Sequence, residues 1–161
     1  MKSTHFDQSG RARMVEVSEK HDTLRIAIAR GTVKMNKNTV RMIREGAVGK
    51  GDVLAVACTA GIMAAKRTWE LIPMCHNIRL TGACISFKLA ETEVQIEAEA
   101  RAFARTGAEM EAMTAVSVAA LTIYDMCKSI ERGIIITDIK LVKKSGGKSG
   151  EYIAGEHKNE G

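Results

Sequence analysis

GACISFKLAETEVQIEAEARAF, residues 82–103, alternates apolar and polar side chains twice, with a polar break between the runs. Ala83, Ile85, Phe87 and Leu89 share one face of the first run. Val94, Ile96, Ala98 and Ala100 answer in the second, opposite Gln95, Glu97, Glu99 and Arg101. A two-residue period is that of a half-buried strand, and two such runs joined by a few polar residues make a hairpin. A sheet with one apolar face must be covered, so the rest of the chain is read for what covers it.

Upstream, TLRIAIARGTVKM (23–35) sets Leu24, Ile26 and Ile28 against Arg25 and Arg30 and reads as another strand. NTVRMIREG (38–46) and GDVLAVACTAGIMAAKRTWELI (51–72) have helical spacing. Asp52 suits the start of the second helix electrostatically, and Pro73, the only proline, follows its end. Its small residues, Ala55, Ala57, Ala60, Gly61, Ala64 and Ala65, would let another backbone approach closely. Downstream, a long helix is expected from about Ala108 to Glu131, with Gly133 able to end it. IIITDIKLVKK (134–144) closes as a strand. The order gives an α+β, ferredoxin-like βαββαβ sandwich, an antiparallel sheet with helices packed on one face. Residues 14–150 are read as one domain. Residues 1–13 and 151–161 are polar and unpatterned and are read as mobile tails.

A chain of 161 residues can bury roughly 70% of its unfolded surface, enough for a real core. It contains no run of 18 apolar residues, which argues against a transmembrane helix, and its first twenty residues lack the apolar centre of a signal peptide. A cytoplasmic protein is expected. Cys58, Cys75, Cys84 and Cys127 form no CxxC pair and read as buried, reduced thiols. A net charge of +5 points weakly to an anionic ligand, while 4% aromatic residues are too few for the stacking platforms of single-stranded nucleic acid binders.

From Ala112 to Tyr124 the long helix carries no formal charge, and then Asp125 and Lys128 stand about 60° apart on its wheel. One account is a C-terminal cation complementing the helix dipole, with an ordinary ion pair. The other is a partly desolvated pair with shifted proton affinities, able to serve as acid and base. Glu109 and Glu111 lie in the helix's first turn, where the dipole alone favours carboxylates. Glu111 and Asp125 point similarly around the axis yet are about 21 Å apart along it. One small reacting centre in one chain cannot touch both.

In IPMCHNI (72–78), His76 follows Cys75 directly in a loop between helix and strand; it is either merely exposed or part of a pocket. A zinc site there lacks further ligands at sensible spacing, so no metal site is expected. Lys50, between glycines ahead of a helix N-terminus, suits an anion. LVKKSGGKSG (141–150) puts Lys143, Lys144 and Lys148 among glycines and serines, a basic tail or an anion-holding loop. It fails the Walker A pattern, because Val142 stands where the first glycine belongs.

Three segments in this order, AAKRTWELIPMCH (64–76), TGAEMEAMTAVSVAALTIYDMCK (106–128) and KSGGKSG (144–150), resemble the cyclic pyranopterin monophosphate synthase (MoaC-type) family of molybdenum cofactor biosynthesis. The resemblance runs from about Met14 to Gly150. It implies a ferredoxin-like fold and a homohexamer, a trimer of dimers with sites at subunit interfaces. The implied reaction converts 3′,8-cyclo-7,8-dihydro-GTP to cyclic pyranopterin monophosphate with release of pyrophosphate. By motif it implies Asp125 and Lys128 as the catalytic pair, and Met74, Cys75, His76, Met110 and Glu111 as substrate-binding segments. Glu109, Lys50 and Lys144 match further pocket positions. Asn77 departs from the family, which commonly has proline after the histidine. No cofactor is implied, with magnesium beside the pyrophosphate left open, and no nucleic acid or membrane partner. A nucleotide- or RNA-binding module without catalysis, or a metal-dependent hydrolase using His76 and the thiols, would be the competing classes.

Overall fold

A computed structural model describes residues 9–148 and 150–155. Its sheet is built on the hairpin expected from the alternation. β2 (Leu80–Leu89) and β3 (Glu93–Ala104) pair antiparallel from Leu89↔Val94 to Leu80↔Ala102, through the three-residue connection 90–92. Every second residue of β3 from Val94 to Ala104 is buried, whereas Gln95, Arg101 and Phe103 are exposed. β1 (Thr23–Lys34) pairs antiparallel with β3 on one side and with β4 (Ile135–Ser145) on the other. A two-residue strand, β5 (Tyr152–Ile153), adds to the β4 edge, and the order is β2-β3-β1-β4-β5. Within the stretch read as a mobile C-terminal tail, Ile153 and Tyr152 pair with Lys143 and Lys144. The expectations for residues 1–8 and 156–161 lie outside the described residues.

The inward face of β1 is made of Ala27, Ala29, Gly31 and Val33, all buried, while Leu24, Ile26 and Ile28 lie on the opposite face. Arg30 falls with the isoleucines rather than against them and pairs with Glu97 across the outer face at 2.6 Å. The small inward residues make room for α4 (Glu109–Cys127), which crosses the sheet. A Cβ on Gly31 would meet Val116 Cγ1 at 2.6 Å. Opposite Gly31 the β4 strand carries a bulge, with Asp138 at φ 56°.

Before the hairpin, α1 (Lys37–Arg44) is followed by α2 (Val53–Ala65) and the single turn α3 (Thr68–Leu71). The stretch expected as one helix over 51–72 is therefore two, broken at Lys66–Arg67. The buried Thr68 hydroxyl donates to the Ala64 and Ala65 carbonyls, closing the end of α2. Asp52 caps α2 by accepting from the amides of Leu54 and Ala55 at 3.1 and 3.0 Å. Of its small residues Ala57, Gly61, Ala64 and Ala65 are buried, whereas Ala55 is exposed and Ala60 half-buried. A Cβ on Gly61 would lie 2.4 Å from Ile85 Cδ1 and 2.8 Å from the Ala115 carbonyl, so α2 rests directly on the backbone of α4.

α4 ends at Cys127, earlier than Glu131, with Lys128 as its C-cap. The chain then turns tightly, and Glu131 becomes a cap for another helix. Its Oε2 accepts from the Asn36 amide at 2.9 Å and the Thr39 hydroxyl at 2.6 Å, at the start of α1. By length and composition α4 is apolar enough to cross a membrane, but 56% of its most apolar window is buried inside this fold. Ala112, Ala115, Val116, Ala119 and Ile123 supply that buried stripe. Four cysteines are free thiols. Cys127 is buried and Cys58 and Cys75 are half-buried, but Cys84 is exposed on the outer face of β2, where burial had been expected.

Candidate active site

The two ends of α4 carry two separate clusters. At its N-terminal end a cavity of about 380 Å³ is lined by Met74, Cys75 and His76, by Thr106, Gly107, Glu109, Met110 and Glu111, and by Val15, Val17 and Lys20. The Glu109 side chain folds back over Gly107 just ahead of α4, where a Cβ would meet its Oε2 at 1.8 Å. Lys144 of β4 reaches Glu109 at 3.3 Å. The His76 Nε2–H donates to the Val15 carbonyl at 2.7 Å, which fixes the proton on that nitrogen and draws the segment before β1 across the cavity.

Glu111 is the outlying group. It is 4% exposed, and its Oε2 is buried with no hydrogen-bond partner. Burial pushes its carboxyl up to about 7, opposed by its own backbone amide and helped by the charge of Glu109. Burial therefore favours the neutral form of the Glu111 carboxyl. Burial, with Glu111 second, also raises the Cys75 thiol, so this sulfur is a neutral thiol rather than a thiolate nucleophile.

At the other end, Lys128 Nζ lies 2.6 Å from Asp125 Oδ1. Lys50, arriving from 75 residues earlier, donates to the Asp125 carbonyl at 2.8 Å and to Oδ2 at 3.1 Å. Lys50 had been read as an anion site ahead of α2. The Asp52 carboxylate caps that helix, and the Lys50 amine reaches across to α4. Lys50, Lys128, Tyr124, Ser129 and Arg132 line a cavity of about 300 Å³. The hydrogen bonds of Lys128, then Lys50, hold the Asp125 carboxyl below its ordinary value. The bond to Asp125 raises Lys128 above its own. Of the two accounts of this pair, desolvation is not what the structure shows: both side chains are about half exposed, and each favours the charged form of the other.

All ten residues singled out from the sequence fall at one or other end of α4. The structure joins Lys144 to Glu109, and Lys50 to Asp125 and Lys128. It does not bring Asp125 and Glu111 together. Sequence reasoning missed Val15, Val17, Lys20, Thr106 and Gly107 at one cavity and Tyr124, Ser129 and Arg132 at the other. Arg132 had a usable signal, a cation just beyond a helix end; Val15 had none, because only the fold lays its carbonyl on His76. Among the described residues no three His, Cys, Asp or Glu side chains are grouped to hold a metal ion.

The model of the MoaC family matches residues 14–147, a span that contains both clusters. The chain belongs to the MoaC family. Curated MoaC relatives agree over nearly their whole length. The cyclic pyranopterin monophosphate synthase of Peptoclostridium acidaminophilum is 60% identical over 152 residues, 94% of this chain and 97% of the relative. The protein of the same name from Heliobacterium modesticaldum is 58% identical, covering 95% and 98%. That of Desulfitobacterium hafniense is 55% identical, covering 98% and 97%. The likeness to the MoaC-type enzymes expected from three motifs therefore extends through the whole domain.

Proposed function

We propose that the protein is a lyase, a cyclic pyranopterin monophosphate synthase that converts 3′,8-cyclo-7,8-dihydro-GTP to cyclic pyranopterin monophosphate and pyrophosphate in molybdenum cofactor biosynthesis. The observation that carries this reading is the convergence of Lys50 on the Asp125–Lys128 pair beside a cavity, in a chain 55–60% identical to proteins bearing that name. Rebuilding the purine-derived ring requires repeated proton transfers. Lys128 enters protonated and serves as the acid, with ionised Asp125 as its partner and base. Closing the cyclic phosphate expels pyrophosphate from the α-phosphorus, and Lys50, Lys144 and Lys148 supply charge for the leaving group. Met74, Cys75, His76, Met110 and Glu111 line the wall that receives the ring system. No resident cofactor is invoked; a magnesium ion would arrive with the phosphates as part of the substrate.

The same proposal includes a homohexamer, a trimer of dimers in which opposite ends of α4 from two copies complete one site. The 21 Å between Glu111 and Asp125 supports it, as do the apolar side chains left exposed on α2 and α4, Val56, Met63 and Leu121. A ferredoxin-like βαββαβ core also belongs here, supported by the antiparallel order β2-β3-β1-β4. So does a cytoplasmic location, without nucleic acid or membrane partners.

The test is pyrophosphate release from enzymatically prepared cyclised GTP by the native protein, Asp125→Asn and Lys128→Ala. Release and pterin product from the native protein alone, with both variants folded, support enzyme and site together. Equal background from all three would overturn the catalytic reading and favour a binding module. Mixing Lys128→Ala with a Glu111→Ala variant tests the shared site: recovered activity supports it, and none contradicts it.

A further inference from the structure

The pair Gly146–Gly147 was read as part of a basic tail or of an anion-holding loop. The structure gives the two glycines another purpose. Both take positive φ, 99° and 76°, and a Cβ on Gly146 would lie 2.0 Å from the Leu24 carbonyl oxygen. A Cβ on Gly147 would lie 1.8 Å from Arg25 Nη1. The turn is pressed onto β1, and what it presses against is a guanidinium.

Arg25 directs its donors to three backbone carbonyls. Nε donates to Ala104 at 3.2 Å, Nη2 to Arg105 at 3.2 Å and Nη1 to Gly146 at 3.1 Å. Ala104 ends β3 and Arg105 follows it, two residues and one residue before Thr106, which lines the larger cavity with Gly107. The third belongs to the turn that directly follows Lys144, whose amine meets Glu109. One side chain on β1 therefore ties the start of the cavity wall to the start of the basic turn. A lysine cannot replace it, because its three donors radiate from one atom rather than from a planar fork.

We propose that Arg25 is a positioning residue that holds Lys144 and the Gly146–Gly147 turn at a fixed distance from the carboxylate-bearing start of α4, so that the cations meet the phosphates of the substrate already in place. Arg25 spends one donor from each nitrogen on backbone, so its part is exerted through the two segments it joins. The kinetic half of the test rests on the proposed function; the structural half does not.

The experiment compares native protein with Arg25→Gln, Arg25→Lys, Gly147→Ala and the double variant Arg25→Gln/Gly147→Ala. Hydrogen exchange is followed for amides of residues 104–107 and 145–148, alongside kcat and KM for cyclised GTP. In Arg25→Gln, exchange is expected to accelerate about tenfold or more in both segments together, while the central amides of β1 and β3 stay protected. KM should rise about tenfold, with kcat within about threefold, and Arg25→Lys should not rescue either. Gly147→Ala should reproduce the pattern by driving a methyl group into the guanidinium, and the double variant should be no worse than the worse single. Acceleration in one segment only, rescue by lysine, or additive effects in the double variant would overturn the clamp. So would a fall in kcat at constant KM. Should Arg25→Gln fail to fold, Arg25→Lys and Gly147→Ala decide the matter. A native protein with no turnover would defeat the proposed function, and the exchange data would still decide the inference.

Discussion

The two ends of α4 solve opposite problems with similar side chains. At the N-terminal end a carboxylate, Glu111, is taken out of water, left without a partner at Oε2 and pushed towards neutrality. At the C-terminal end a carboxylate, Asp125, stays half exposed, gathers two lysines and is held ionised. Solvent access and partner count, rather than residue type, decide which carboxyl keeps its proton. A helix with an uncharged middle can present one of each because its ends meet different surroundings.

The sharpest way to break this contrast is to remove the charged end. Lys128→Ala should lower pyrophosphate release by about 100-fold or more, the scale of a lost acid–base group. Its thermal midpoint should stay close to that of the native protein, since an exposed pair contributes little to stability. A large fall in the midpoint would mean that the pair is structural.

The neutral end is tested by pH. Glu111 has a folded value of about 7, above its ordinary 4.5. The stability this shift contributes is complete below about pH 4.5, declines as pH rises and is gone above about 7. The span amounts to at most about 3 kcal/mol. Glu111→Gln should remove that slope, so the variant gains on the native protein between pH 5 and pH 8 in urea unfolding. Parallel pH profiles would show that Oε2 has found water or another partner.

Between the ends, Gly61→Ala tests the rigidity of the rod that separates them. Its methyl group must displace Ile85 or the Ala115 carbonyl, at a cost of about 1–3 kcal/mol in unfolding free energy. The smallest effect is expected at Asp52→Ala, which removes the cap of α2 beside Lys50. About 1 kcal/mol should be lost, with catalysis little changed. If this substitution instead impairs turnover, Lys50 depends on that cap for its reach to Asp125.

The hairpin was legible in the sequence because Val94 to Ala100 and Ala83 to Leu89 obey a strict two-residue period set by one buried face. The α2–α4 contact was legible in the run of alanines around Gly61. Less legible was β1, whose larger aliphatics lie on the face away from α4 while Ala27 and Ala29 take the core. Periodicity shows that two faces differ, but not which one a helix will choose. Lys50 was recognised by motif, whereas its bonds to Asp125 depend on a packing of α2 against α4 that no local pattern encodes. The partnerless Oε2 of Glu111 was equally hidden, because a first-turn glutamate ordinarily faces water. The choice between an exposed and a desolvated Asp125–Lys128 pair stayed open for the converse reason: an apolar helix suggested desolvation, but its last turn emerges from the core.

Much of the contact of α4 and α2 with one another and with the sheet is alanine and glycine, Ala27, Ala29, Gly31, Gly61, Ala98, Ala100, Ala112, Ala115 and Ala119, with Ile85, Ile96, Val116 and Ile123 filling between them. Such an interior reverses the usual asymmetry of mutation. Truncation has little volume to remove, so few cavities can be opened there. Enlargement has little room, because a Cβ on Gly31 would press on Val116 and Ile139, and one on Gly61 on Ile85 and the Ala115 carbonyl. Sequence drift at these positions is therefore confined to a narrow range of sizes, and the two ends of α4 are held in register by the smallest side chains in the molecule.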